Sequence, residues 1–458
     1  MKRMLLLLTT LTLAACTVGP NYQRPAVAVP EQIYGATEAP TERSLADVTW
    51  FDLFSDPALR ALIDEAQRNN ADLLIAAARV EEARARYGIA GAARFPDVDY
   101  ETRAGYGRQN GETGGAFAAN VGAGWEIDLW GRIRRLNEAA RAQYLASEEG
   151  RRAVRLALIT EVAAAYFDLR ELDEELAIAR RASEGFANTL DLFERRLRGG
   201  TASGLETSRA EALLANASAQ IPLLEREIVA TENQLNVLLG RVPGPIERGA
   251  TLAAQPLPPE IPAGLPAMLL LRRPDVLAAE QQLIAANANV GVAEAAFYPS
   301  LSLTGLLGVQ SSDLSELFGA GRVWNIQAGL FGPIFNAGRL RNQRRVAVAQ
   351  FDAARVQYEQ SVTEALADVS TSLVSLEKLA AVETERQRAL RANQEAVRLV
   401  NIRYESGLSA YFEVLDAMQQ LFAAENAVAR TRRDRLLALV QFYRALGGGW
   451  METRQGWR

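Results

Sequence analysis

The sequence predicts an α+β membrane protein built from two tandem repeats, each supplying long helices and a pair of membrane-spanning β-strands. Three patterns carry that expectation. The chain repeats itself at a period on the order of two hundred residues, too long for a solenoid and suited to one duplicated structural unit. Long proline-free stretches carry an amphipathic helical stripe. Between them lie segments in which apolar and polar residues alternate.

Residues 131–240 and 338–447 align at a constant offset without a gap. Gly131 answers Gly338, Arg196 answers Arg403, Gly200 answers Gly407, Glu206 answers Glu413, Gln234 answers Gln441 and Gly240 answers Gly447. Upstream, Asp72/Asp275, Gly88/Gly291, Pro96/Pro299 and Gly105/Gly308 pair at a slightly shorter offset. The change falls in the Gly/Ser-rich stretches after Gly107 and Gln310, where a loop absorbs a length difference at small entropic cost.

Residues 133–197 contain no proline, and Val154, Leu158, Val162, Ala165, Leu169, Leu172 and Leu176 recur at three- and four-residue spacing. That is the stripe of an amphipathic helix. At a rise of ~1.5 Å per residue, such an arm approaches a length of about 100 Å. Residues 340–404 repeat the pattern, and shorter arms at 205–239 and 412–446 follow each glycine break. Alanines such as Ala163, Ala164 and Ala165 permit close helix approach, while interspersed Glu and Arg mark solvated faces.

The strands read differently. Val98, Tyr100, Thr102, Ala104 and Tyr106 fall on one face of an extended segment, and Asp97, Asp99, Glu101 and Arg103 on the other. Residues 117–129 alternate likewise. The second repeat offers Leu301, Leu303, Gly305, Leu307 and Val309, then Trp324, Ile326, Ala328 and Leu330. Alternation over ~10 residues is the pattern of a transmembrane β-strand. Phe95, Trp130, Tyr298, Trp324 and Phe335 at the strand ends suit an interfacial girdle. Four strands are too few for a barrel, since the smallest membrane barrels use about eight. An open edge in hydrocarbon is equally unfavourable. The barrel is therefore shared among copies of the chain, and a dimer, trimer or tetramer would satisfy this requirement.

The N-terminus carries an export address. Lys2 and Arg3 precede an apolar run that ends in Leu13-Ala14-Ala15-Cys16, a signal peptide too short to span a bilayer as a permanent helix. The cysteine after Leu-Ala-Ala resembles a bacterial lipobox, which makes Cys16 the expected lipidation site, and Thr17 behind it favours sorting to the outer membrane. Cys16 is the only cysteine, so no intramolecular disulfide forms. No other stretch approaches the ~18 consecutive apolar residues of a spanning helix. The net charge of −5, more negative once Lys2 and Arg3 leave, argues against nucleic-acid binding.

Four motifs in order carry a family resemblance: Cys16-Thr-Val-Gly-Pro-Asn-Tyr-Gln-Arg-Pro25, Trp50-Phe-Asp-Leu-Phe-Ser-Asp-Pro57, Arg272-Arg-Pro-Asp275 and Leu446-Gly-Gly-Gly-Trp450. They resemble NodT-type efflux lipoproteins within the TolC-like outer-membrane factors, over essentially the whole mature chain. The resemblance implies a homotrimer whose protomers give a twelve-stranded transmembrane β-barrel, with a long α-helical barrel reaching across the periplasm inside an equatorial belt. It implies the exit duct of a tripartite pump, joined to a periplasmic adaptor and an inner-membrane efflux transporter, commonly of the resistance–nodulation–division class. The expected organisation is a signal peptide at 1–15 and a lipidated extended segment at 16–56. A first repeat at 57–240 (helix, β-hairpin, long helix, short helix) and a proline-rich equatorial connector at 241–264 follow. A second repeat of the same order at 265–447 and a tail at 448–458 complete the chain.

Each glycine break, at 196–206 and 403–413, places a glycine at a tight helix-to-helix turn. The resemblance assigns Arg196, Gly200, Arg403, Gly407 and Leu408 to tips that meet the adaptor. It assigns Phe412, Glu413 and Asp416 to a constriction at the periplasmic aperture, where Glu413 stands in place of the Asp of some relatives. Catalysis is not expected. There is no histidine, the single cysteine is used in processing, and no glycine-rich phosphate loop joins a strand to a helix. Asp97, Asp99 and Glu101 share a lumen-facing strand face, where acidic residues tune ion preference. No metal site or cofactor is expected. The competing readings are a structural or adhesive lipoprotein with a helical stalk, and the exit duct of a type I protein secretion system.

Overall fold

A computed structural model describes residues 17–30, 34, 50–109, 112–255, 273–319 and 321–448. Cys16 and the leader lie outside the described residues. Helices α1 (Trp50–Leu53), α2 (Pro57–Asn69) and α3 (Ala71–Ala92) lead into strands β1 (Asp97–Gln109) and β2 (Glu112–Ile127). The long helix α4 (Arg132–Arg198) and the shorter α5 (Gly204–Leu238) follow. The order recurs as α6 (Pro274–Ala295), β3 (Ser300–Ser311), β4 (Arg322–Phe331), α7 (Arg339–Glu405) and α8 (Tyr411–Ala445). Helices α4 and α7 are both 67 residues long, and α5 and α8 both 35. The chain forms two compact units, one around residues 77–150 and 275–361, the other around 28–76, 151–274 and 362–458.

The first unit holds an antiparallel sheet in the order β1-β2-β3-β4. Its register keeps the apolar residues together. Tyr100 pairs with Val121, Val121 with Leu307 and Leu307 with Trp324, while Val98, Ala123, Gly305 and Ile326 form the adjacent row. Asp97, Gly124, Thr304 and Gln327 make one row of the opposite, polar face. A one-residue slip would put every apolar side chain on the wrong face. Tyr100 is 83% exposed, Trp324 74% and Ile326 79% in the protomer. A continuous exposed apolar face over four strands is what a sheet bathed in lipid presents.

Two local details differ from the sequence expectation. Instead of opening into a loop after Gly107, β1 stays paired to Gln109, and Gly107 faces Gly114 across the hairpin. In the second repeat the connection between β3 and β4 is longer and includes a 3₁₀ turn at Leu314–Glu316, so the length difference sits at the hairpin ends. Asp128 and Leu129 leave the expected strand because Asp128 caps α4. Its carboxylate accepts from the Ile133 amide at 3.1 Å and the Arg134 amide at 2.9 Å.

The second unit contains a large apolar core, with Trp50, Phe54, Leu59, Ile63, Tyr166, Phe167, Leu235 and Phe442 all buried. Two of the motifs singled out above hold it together. Asp56 caps α2 through the Ala58 amide at 2.9 Å. The same carboxylate accepts from the Tyr166 hydroxyl at 2.8 Å, the Ala250 amide at 3.1 Å and Gln255 Nε2 at 2.6 Å, tying the start of the first repeat to the inter-repeat connector. Arg273 donates to Asp368 at 3.0 Å and to the Ala445 carbonyl at 3.2 Å, joining the start of the second repeat to the end of α8.

Candidate functional site at the helical tips

Both long helices end in the same device. Gly200 (φ 73°) and Gly407 (φ 72°) adopt the left-handed conformation. The Gly200 amide donates to the Leu197 carbonyl and the Thr201 amide to the Arg196 carbonyl; Gly407 to Tyr404 and Leu408 to Arg403 repeat the pattern. This Schellman arrangement satisfies the last helix carbonyls and needs a residue without Cβ strain at positive φ. Duplication of the sequence has become duplication of the turn, with matching dihedrals.

The two tips touch. Arg196, in the last turn of α4, donates to the Tyr404 hydroxyl and lies 5.1 Å from the centroid of that ring. Beneath it, Phe193 of α4 and Tyr411 at the start of α8 pack with ring centroids 3.8 Å apart, and Tyr404 lies 5.1 Å from Tyr411. Val400, Val414 and Leu415 complete this small core. Burial raises the pKa of the Tyr411 phenol and, against the pull of Arg196, that of Tyr404, so both stay neutral at physiological pH.

The candidate residues cluster around this core. Arg403 donates to the Leu408 carbonyl at 3.2 Å, and the Leu408 side chain stands out, 70% exposed. Phe412, Glu413 and Asp416 all lie on the exposed face of α8. Arg209 of α5 lies 5.1 Å from the centroid of the Phe412 ring. The starts of α5 and α8 are built differently. In α5, Glu206 reaches back to accept from the Ser203 amide at 2.7 Å. The position of Ser203 is taken by Ala410 in the second repeat, so no side chain caps α8, and Glu413 and Asp416 supply negative charge near its N-terminus instead.

Phe193, Tyr404 and Tyr411 escaped sequence reasoning because their spacing is that of any helical core residue. So did a part-buried polar cluster deeper in the same unit, where Arg430 donates to the buried Glu175 at 2.6 Å and Arg433 to Asp168 at 3.1 Å. The run Arg430-Thr-Arg-Arg-Asp-Arg435 was a legible signal, although its partners lie on α4 and α7. Among the described residues, no group of acidic side chains is arranged to hold a metal ion, and no helix is long and apolar enough to cross a membrane.

Comparison with known proteins gives this geometry its family. The model of the outer membrane efflux protein family matches residues 62–241 and 265–448. The chain is 35% identical over 454 residues to the cation efflux system protein CusC of Escherichia coli, covering 96% of this chain and 97% of that one. It is 37% identical over 456 residues to the solvent efflux pump outer membrane protein SrpC of Pseudomonas putida, with 96% and 97% covered. The open-state crystal structure of the Neisseria gonorrhoeae MtrE outer membrane channel superposes with a TM-score of 0.88 at 34% identity, covering 96% of this chain and all of that one. Matched through both repeats and alike in fold along nearly its whole length, the chain belongs to the outer membrane efflux protein family.

Proposed function

We propose that this outer-membrane efflux protein is the exit duct of a tripartite pump, a passive conduit that works as a homotrimer with a periplasmic adaptor and an inner-membrane transporter. The observation that carries the reading is the sheet. One face is apolar in register across four strands, the other is polar, and β1 and β4 form its two edges. Backbone groups along those edges need partners in lipid, and neighbouring protomers provide them by continuing the ladder until it closes. Three copies would make a closed wall with Asp97, Asp99, Glu101 and Arg103 toward the lumen.

The tips are the proposed adaptor contact. Leu408 is exposed at a turn whose backbone is fixed by Gly407 and Arg403, so a rigid apolar knob is presented to a partner. Affinity for a packed helical hairpin follows from burying that knob together with the turn. A photo-crosslinking amino acid at position 408, introduced into the chain in cells, should yield a single product containing a periplasmic adaptor protein. Efficient outer-membrane assembly with no adaptor product would reject the tripartite reading in favour of a solitary stalk. Relatives carry names for cations and for solvents, so membership of the family does not fix the cargo of this chain.

A further inference from the structure

The segment directly behind Cys16 does not trail along the surface; it is bolted down. The Val18 amide donates to the Trp130 carbonyl at 3.0 Å. Arg135, buried at the start of α4, donates to the Gly19 carbonyl at 3.2 Å and to Asn21 Oδ1 at 2.8 Å. From α6, Asn287 donates to the Pro20 carbonyl at 3.0 Å. Glu280 receives both Arg24 nitrogens at 2.6 Å and the Tyr22 hydroxyl at 3.0 Å. Gly19 (φ 93°) meets Gly291 so closely that a Cβ on it would lie 2.4 Å from the Gly291 Cα. Two glycines are needed for that approach.

The seat exists on only one copy of the duplicated surface. At the aligned positions of the first repeat, Ala77 stands for Glu280, Arg84 for Asn287, and Gly88 has open space where Gly291 is covered. Likewise Arg135 is buried in the seat, while its counterpart Asn342 is exposed. A duplicated helix pair has thus diverged into one binding face and one bare face. That divergence is what a seat selected for this peptide would produce.

Its location is informative. Trp130, Gly131 and Arg135 follow β2 at the end of the first hairpin, and Glu280, Asn287 and Gly291 lie on the helix that leads into β3. The β2–β3 ladder, from Phe117↔Ser311 to Ile127↔Leu301, is where the two repeats join within the sheet. Beside Thr17, Trp130 stacks on Tyr298 with centroids 4.7 Å apart, and its indole N–H donates to the Pro299 carbonyl at 2.8 Å. We propose that residues 17–24 are a strap that staples the seam between the two repeats.

The test uses the full-length, membrane-extracted protein and three variants: Arg24→Glu, Glu280→Arg, and the double swap. Strap release is read as chymotrypsin cleavage after Tyr22, which tracks the open population. Each single reversal should speed cleavage by about tenfold or more, the scale expected for losing a charge-assisted contact and creating a repulsive one. Each should also lower the temperature at which the oligomer dissociates on an unheated gel. The double swap should bring both readouts back toward wild type. Where Glu280→Arg alone fails to accumulate, Arg24→Glu, which alters only the strap, makes the comparison with the swap. Wild-type cleavage and melting in the single variants, or a swap no better than either single, overturns the staple.

Discussion

Asp56 is buried, at 3% exposure, and accepts four hydrogen bonds from three separated stretches of chain. Burial alone would raise its pKa, but the contacts from Gln255, Tyr166, Ala58 and Ala250 outweigh it and hold the carboxyl below its ordinary value. A depressed folded pKa means stability that is present above the unfolded value and lost as pH falls through the folded one. Asp56→Ala should therefore cost about 3 kcal/mol, because it removes a helix cap and leaves Tyr166 and Gln255 without their acceptor. The fall in oligomer melting temperature measures it. Glu171 has the opposite sign. Burial and the neighbouring Glu175 carboxylate push it up to about 7, against the pull of Arg433 and Arg430. A raised folded pKa binds protons that the unfolded chain has released, so stability falls as pH climbs from about 4.5 toward 7. Glu171→Gln should melt like wild type near pH 4.5 and be more stable by about 1–3 kcal/mol at pH 8. Equal melting at pH 8 would show that Arg430 and Arg433 already neutralise the site.

Elements, unlike these contacts, were largely legible. The glycines that end the long arms in the sequence occupy positive-φ turns in the structure, because no other residue type closes a Schellman turn so cheaply. Alternation identified the strands because a sheet with lipid on one side and a polar face on the other enforces it. What escaped was every link made by residues far apart in sequence. Glu280 and Arg24 are 256 positions apart, and Asp56 and Gln255 are 199 apart, so no local pattern connects them. At the tips, the glycine was visible but the Phe193–Tyr411 packing beneath it was not. The tip makes a prediction of its own. Gly407→Ala should place a Cβ at positive φ and cost on the order of 1–2 kcal/mol, loosening the turn without touching the membrane sheet. Trypsin cleavage at Arg403 should rise several-fold while oligomer yield in the outer membrane stays constant. An unchanged cleavage rate would mean the aromatic core alone fixes the tip.

For the whole molecule, the open question is how a duct lined with water avoids leaking when no pump is attached. Symmetry sharpens the constraints on any answer. A threefold axis near the start of α8 would bring three copies each of Glu413 and Asp416 toward one another, and like charges at short range repel. Closure would then depend on apolar packing and on cations, and each protomer offers both: Phe412 is exposed, and Arg209 sits over its ring. The Arg209 guanidinium, 5.1 Å from the centroid of the Phe412 ring, would add positive charge beside such a ring of carboxylates. A ring of carboxylates around a narrow opening also concentrates multivalent cations, which bridge charges that monovalent ions only screen. Purified protein in planar bilayers should therefore conduct poorly, and divalent or trivalent cations should reduce the residual current further. Glu413→Ala/Asp416→Ala should lose most of that cation block and shift conductance, while oligomer yield is unchanged. If block and conductance both match wild type, Glu413 and Asp416 merely favour the helix N-terminus, and the constriction must be sought elsewhere along α7 and α8.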